Sequence, residues 1–141
     1  MIEQRTEVDC AICCIAMATG RPYEQVHAAG VETGAFDPDR GCRSEGPILR
    51  ALGLTGQTEV GDPSGDFMTR RCPYAVPAEF FRELAWGRRA LITTRSLNDE
   101  AALHVVFWDG SQLFDPSPKQ RYERFADLKV QELTVFREAE C

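Results

Sequence analysis

The sequence predicts an α+β fold, with helices in the first half of the chain and an antiparallel sheet in the second. Three observations predict it. Apolar residues at helical spacing, stopped by glycines, dominate the first half. Asp109-Gly110 separates two apolar runs, which is a hairpin signal. Residues 129–136 alternate polar and apolar side chains, as a strand with one wet face does.

The elements follow in order. Asp9 precedes the apolar run Cys10 to Ala18, which ends at Thr19-Gly20. Asp is a good N-cap and Gly a good stop, so a short buried helix is predicted there. Arg21-Pro22 starts a second helix, Tyr23 to about Ala29, closed by Gly30. Residues 31–43 are turn-rich, with Gly34, Asp37-Pro38 and Gly41. Ser44, Glu45 and Pro47 open a third helix, Pro47 to Leu52, stopped by Gly53. Residues 54–60 are assigned to a strand and 61–76 to a loop holding Gly61, Pro63, Gly65 and Pro73. Pro77 to Trp86 carries Phe80, Phe81, Leu84 and Ala85 at helical spacing and predicts a fourth helix. Strands are then predicted at Ala90–Thr94, Leu103–Trp108, Gln112–Phe114 and 129–136.

With 141 residues, 43% of them hydrophobic and 27% charged, the chain has the mixture of one globular domain spanning 1–141. A formal net charge of -6 argues against a nucleic-acid partner, because phosphate binding needs a basic face. No apolar run is long enough for a bilayer. Met1 to Glu7 has no basic segment followed by an apolar stretch, so a cytoplasmic protein is expected, and a monomer by default. Of the six cysteines, Cys10, Cys13 and Cys14 crowd one helical segment, which favours reduced thiols over a disulfide framework.

Four residues stand out as chemistry. Cys10 falls in the first turn of a predicted helix, where free N–H groups and the helix dipole favour a thiolate, the reactive form. His104 opens an apolar strand, and a titratable ring there must be hydrogen-bonded or used. Asp115 follows the hairpin's return strand, which brings it back beside His104 to fix the tautomer and stabilise an imidazolium. Gln4, just upstream of Cys10, can point a side-chain N–H at a developing oxyanion, with the Cys10 backbone N–H as second donor. Taken singly, each has a plainer reading: a packed thiol, a structural histidine, an Asp-Pro turn and a solvated Gln. Together they match the geometry of nucleophilic catalysis by cysteine.

Gln4, Asp9-Cys10, the run Ile12 to Ala18, and Thr19 to Tyr23 resemble the N-terminal signature of the C39-like peptidases. Those are papain-like enzymes related to the leader-processing domains of bacteriocin exporters. In that family a Gln precedes an Asp-Cys pair, and a His followed by two hydrophobic residues and then an Asp-Pro come much later. His104-Val105-Val106 and Asp115-Pro116 match the later pair, and Pro47 to Gly53 falls where the family carries a middle helix. The likeness covers most of the chain, but only the Gln, Asp-Cys, His and Asp-Pro elements are specific. It implies a papain-like cysteine protease fold, with Cys10 as nucleophile, His104 as base, Asp115 as orienting acid and Gln4 as oxyanion donor. One departure is Ala11, where many members have Gly directly after the nucleophile.

The implied activity is hydrolysis of a peptide or isopeptide bond in a protein or peptide substrate, with no cofactor. Deamidation and transamidation pass through the same thioester, and a non-catalytic binding or inhibitor module on the same fold is the rival. Retention of all four groups speaks against that rival. A metal site is not expected: Cys10 and Cys13 have zinc-ribbon spacing but within a predicted helix. Cys13, Cys14 and Met17 read as core, and His27 as a surface residue. Asp37, Asp39 and Arg40 read as loop solvation, Trp86 and Trp108 as core fillers, and Cys141 as an exposed terminal thiol.

Overall fold

The computed structural model describes residues 1–56, 65–99 and 101–137. It is an α+β arrangement in which helices cover one face of a five-stranded antiparallel sheet. Helix α1 (Cys10–Thr19) is buried nearly all round, from Ala11 to Ala16 and at Ala18, because it lies between the sheet and a second helical layer. Gly20, with φ at 70°, ends it in the left-handed conformation.

Helix α2 (Tyr23–Thr33) runs a turn beyond the predicted end. Gly30 does not close it. A Cβ at Gly30 would meet the Phe36 Cβ at 2.8 Å, so this glycine allows close packing and Gly34 makes the stop. The turn-rich stretch that follows holds a small hairpin of β1 (Phe36–Asp37) and β2 (Gly41–Cys42). Helix α3 (Gly46–Ala51) lies close to its predicted place.

Two assignments change in the middle of the chain. In the predicted strand 54–60, Gly56 forms an isolated bridge to Phe67, and residues 57–60 lie outside the described residues. The predicted loop instead contains β3 (Phe67–Pro77). Its sequence hides it: β3 lies at the sheet's edge, so polar Thr69, Arg70 and Arg71 face solvent without apolar alternation. Pro73 falls where pairing with the neighbouring strand is interrupted, between Arg71 and Val76. The predicted helix 77–86 resolves into a 3₁₀ turn at Ala78–Phe81 and a short α4 (Arg82–Ala85). Phe81 and Ala85 are buried, whereas Phe80 and Trp86 are exposed, so Trp86 is not a core residue.

The remaining strands are β4 (Ala90–Arg95), β5 (Leu103–Trp108), β6 (Leu113–Phe114) and β7 (Lys129–Phe136), in the order β3-β7-β4-β5-β6. Alternate residues serve two cores. Leu91, Val105, Phe107 and Phe136 pack under the helices. Ile92, Val106, Trp108 and Leu133 pack against Phe81, Phe125 and Leu128 on the other face. Trp108 is buried as expected and donates its indole N–H to Ala85 at 2.9 Å. Burial on both faces explains the unbroken apolar run of β5. It also corrects the reading of β7: Thr134 and Phe136 lie on the face expected to be wet, yet both are buried, Phe136 in the core under the helices and Thr134 with its hydroxyl against that of Thr69 at 3.0 Å.

Between β5 and β6 the chain turns at Asp109-Gly110 as predicted, with Gly110 at φ 110° and the Asp109 carboxylate accepting from the Gln112 N–H at 2.6 Å. This turn brings Asp115 back alongside β5. Among the described residues no helix is long and apolar enough to cross a membrane. Cys10, Cys13, Cys14, Cys42 and Cys72 are free thiols.

Candidate active site

The fold gathers side chains from both halves of the chain at a cleft of about 1130 Å³, whose walls include Gln4, Cys10, Glu45, His104, Ser117 and Glu132. Cys10 is the first residue of α1 and half-buried, so its backbone N–H has no helical acceptor and its sulfur is accessible. The sulfur accepts a long hydrogen bond from the Val105 N–H at 3.5 Å, which pins the helix start to β5 beside His104.

His104 is 7% exposed, and its ring bridges two partners. Nε2 lies 2.6 Å from Asp115 Oδ1. Cys10 is the ring's second polar neighbour, and its interaction with the imidazole favours the charged ring. Burial opposes charge on the imidazole, but the hydrogen bonds to Asp115 and Cys10 outweigh it and push its titration up to about 9. Asp115 is held from three directions, since Oδ1 also accepts the Ser117 N–H at 2.9 Å and Oδ2 the Tyr122 N–H at 2.8 Å. Burial pulls Asp115 up, and these donors with the His104 charge bring it below the ordinary carboxylate value.

Asp9 acts differently from the expected helix cap. Its side chain makes no cap bond to α1. Fully buried, it accepts from the Tyr23 hydroxyl at 2.6 Å, the Arg5 N–H at 3.0 Å and the Thr6 N–H at 3.2 Å. A carboxylate surrounded by local donors folds the segment before Cys10 into a fixed turn. That turn carries Gln4, whose backbone N–H donates to Pro116 at 2.9 Å, directly after Asp115. The Gln4 side chain donates to the Thr6 carbonyl at 3.1 Å, which occupies one of its two amide hydrogens and leaves the other.

The other thiols of α1 are placed for packing. Burial, then the negative charge of Asp9, pushes Cys13 up to about 12. Burial raises Cys14 well above the usual thiol range, and its S–H donates to the Val105 carbonyl at 3.3 Å. His27 is half-buried rather than on the surface, wedged between the Tyr23 and Phe36 rings at 5.9 and 5.2 Å.

The structure also places groups that sequence reasoning did not single out. Glu45, 6% exposed, meets the carboxylate of Glu132 in the cleft wall, and Arg71 Nε donates to Glu132 at 3.0 Å. Burial, then the charge of Glu132, pushes Glu45 up to about 7. In the sequence Glu45 looks only like a helix opener, and the pairing of Glu132 with Arg71 depends on an edge strand that was not predicted. Asn98, Ser117 and Tyr122, which frame Asp115, carry no sequence signal beyond a polar loop.

Comparisons with protein-family models, with curated proteins and with solved structures find no match to this chain.

Proposed function

We propose that the chain is a papain-like, C39-like cysteine hydrolase that cleaves peptide or isopeptide bonds in a protein or peptide substrate. One observation carries the reading: a buried imidazole held by the carboxylate of Asp115 at 2.6 Å shares a cleft with the thiol of Cys10, which is tied to the next residue of the same strand through the Val105 N–H. A free helix-start N–H beside the sulfur and an amide hydrogen of Gln4 in the same cleft support it.

The chemistry runs in two halves. The Cys10 sulfur, its proton held by His104, attacks the scissile carbonyl carbon. The oxyanion forms against the Cys10 N–H and the Gln4 amide. As the carbon–nitrogen bond breaks, His104 gives its proton to the leaving amine, and an acyl thioester remains on Cys10. His104 then takes a proton from water, whose oxygen attacks the thioester. Collapse releases the acid and returns the sulfur. A histidine that holds its proton to about 9 is loaded as the acid of the first half at neutral pH.

Iodoacetamide labelling near pH 6, resolved by peptide mapping, tests the reading. Cys10 is expected to be modified first, and His104→Ala to slow it by at least about tenfold. Labelling of Cys10 no faster than Cys72, or indifferent to His104→Ala, would falsify it.

A further inference from the structure

Asp115 is set by more than its own donors. It opens a loop, Asp115 to Tyr122, that folds back so that the backbone N–H groups of Ser117 and Tyr122 both reach its carboxylate. A loop this polar needs an outside anchor, and the connection between β4 and β5 supplies it. Asn98 Nδ2 donates to Ser117 Oγ at 3.2 Å and to the Gln120 carbonyl at 3.2 Å, and its Oδ1 accepts the Gln120 N–H at 3.2 Å. All three polar positions of that amide thus grip one loop. The Asn98 backbone is itself fixed, since its N–H donates to Ser96 Oγ at 3.1 Å. Tyr122 closes the far end of the loop with its hydroxyl on the Arg95 carbonyl at 2.6 Å. The same loop carries the N-terminal arm, through the Gln4 N–H on Pro116 and an Arg121–Glu3 ion pair at 2.9 Å.

We propose that Asn98 is a positioning residue of the active site: it clamps the 115–122 loop so that Asp115 stays on His104 and Gln4 stays in the cleft. The inference rests on the reading of Cys10 and His104 as nucleophile and base. Small displacements of such groups have large effects on rate. A shift of about 1 Å in a group that positions a reaction can lower the rate by roughly 10²-fold, and supporting contacts are what prevent it.

The test uses the full chain and the rate of Cys10 alkylation by iodoacetamide as a function of pH. Asn98→Ala is expected to slow alkylation at pH 6 by about tenfold and to move the His104 limb of the pH profile downward, because Asp115 no longer holds the imidazolium. A merely structural role would lower the melting temperature and leave that pH midpoint in place. Asn98→Asp keeps the acceptor for Gln120 N–H but loses both donors. It is expected to fall between the two, and it serves if Asn98→Ala does not fold. A rate within twofold of the parent and an unmoved midpoint in both variants overturn the clamp. His104→Ala separates the two ideas. If it slows alkylation while the Asn98 variants do not, only the clamp fails; if it has no effect, the cysteine-hydrolase reading fails and the clamp with it.

Discussion

Two buried carboxyl groups border one cleft and behave in opposite ways. Asp115, 3% exposed, stands behind His104, and Glu45, 6% exposed, stands against Glu132. Burial is the largest influence on both and pushes both toward the protonated form. The sign of the neighbour then decides. Asp115 meets an imidazole and two backbone donors and stays ionised below its ordinary value. Glu45 meets another carboxylate and keeps its proton up to about 7. Equal burial therefore says nothing about role: a carboxyl that is to orient a base needs a cation and donors, and a carboxyl facing its own kind becomes a neutral hydrogen-bond donor.

The strongest way to break the contrast is to remove the charge of Asp115. Asp115→Asn keeps the size but puts an amide where the imidazole needs an acceptor. Turnover of a peptide substrate is expected to fall by about 10²–10⁴-fold, the range seen when an orienting carboxylate is neutralised. The His104 titration, followed by ring-proton NMR, should drop from about 9 toward the ordinary 6.5. Stability changes too, and its sign follows from the shift. A histidine whose proton is held more tightly when folded stabilises the fold fully below about 6.5, and that contribution is lost as the pH rises through about 9. Melting temperature against pH should fall between those limits in the parent and be flatter in Asp115→Asn. An unchanged slope would show that the pair does not hold its proton.

Glu45→Gln reverses the logic, with a smaller effect. In the unfolded chain Glu45 ionises near 4.5, and in the fold it holds its proton up to about 7. Between those values the unfolded state binds fewer protons, so stability falls as pH rises, and above about 7 the deficit is constant. Gln at this position can donate to Glu132 as the protonated carboxyl does, and it carries no charge to be forced inside. The variant is expected to be more stable than the parent above pH 7, by on the order of 2 kcal/mol. The two should converge below pH 4.5 in denaturant unfolding. A variant less stable than the parent at pH 8 would show that Glu45 is ionised and paired in the fold.

The two carboxyls also differ in how legible they were in the sequence. Asp115 could be read because local rules place it: Asp109-Gly110 makes a tight turn, and extending the Phe107–Phe114 pairing sets Asp115 across from Val106, diagonal to His104 on the same face. Cys10 was legible for a similar reason, being the first apolar position after a helix start. Glu45, at the start of α3, and Glu132, on β7, meet only through tertiary packing, which no local pattern records. β3 itself was missed because edge strands show solvent-facing polar residues and tolerate proline. Asp9 was assigned as a cap because its position fits one. Its carboxylate is instead taken by the Tyr23 hydroxyl from the next helix and the N–H groups of Arg5 and Thr6, partners that the position of Asp9 before a helix does not announce. Helices and hairpins were thus readable where their cause is local, and the cleft wall was not, because its cause is the assembly of distant strands.

The finest test of the contrast leaves Glu45 in place and changes only its neighbour. Glu132→Gln removes the like charge but keeps an oxygen to accept the Glu45 proton, and it frees Arg71 from its bond at 3.0 Å. The Glu45 titration is then expected to fall from about 7, but to stay above 4.5, because burial is the larger of its two main causes and the substitution does not alter it. Carboxyl stretching bands followed by infrared difference spectroscopy on the variant would report the midpoint directly. The change in stability at pH 8 should be smaller than for Glu45→Gln, since a buried carboxylate still has to be accommodated. Alkylation of Cys10 should stay within about twofold of the parent, because none of the bonds that hold His104 on Asp115 involves Glu132. A midpoint unmoved from about 7 would mean that burial alone sets Glu45, and that the sign of the neighbour does not separate the two carboxyls of this cleft.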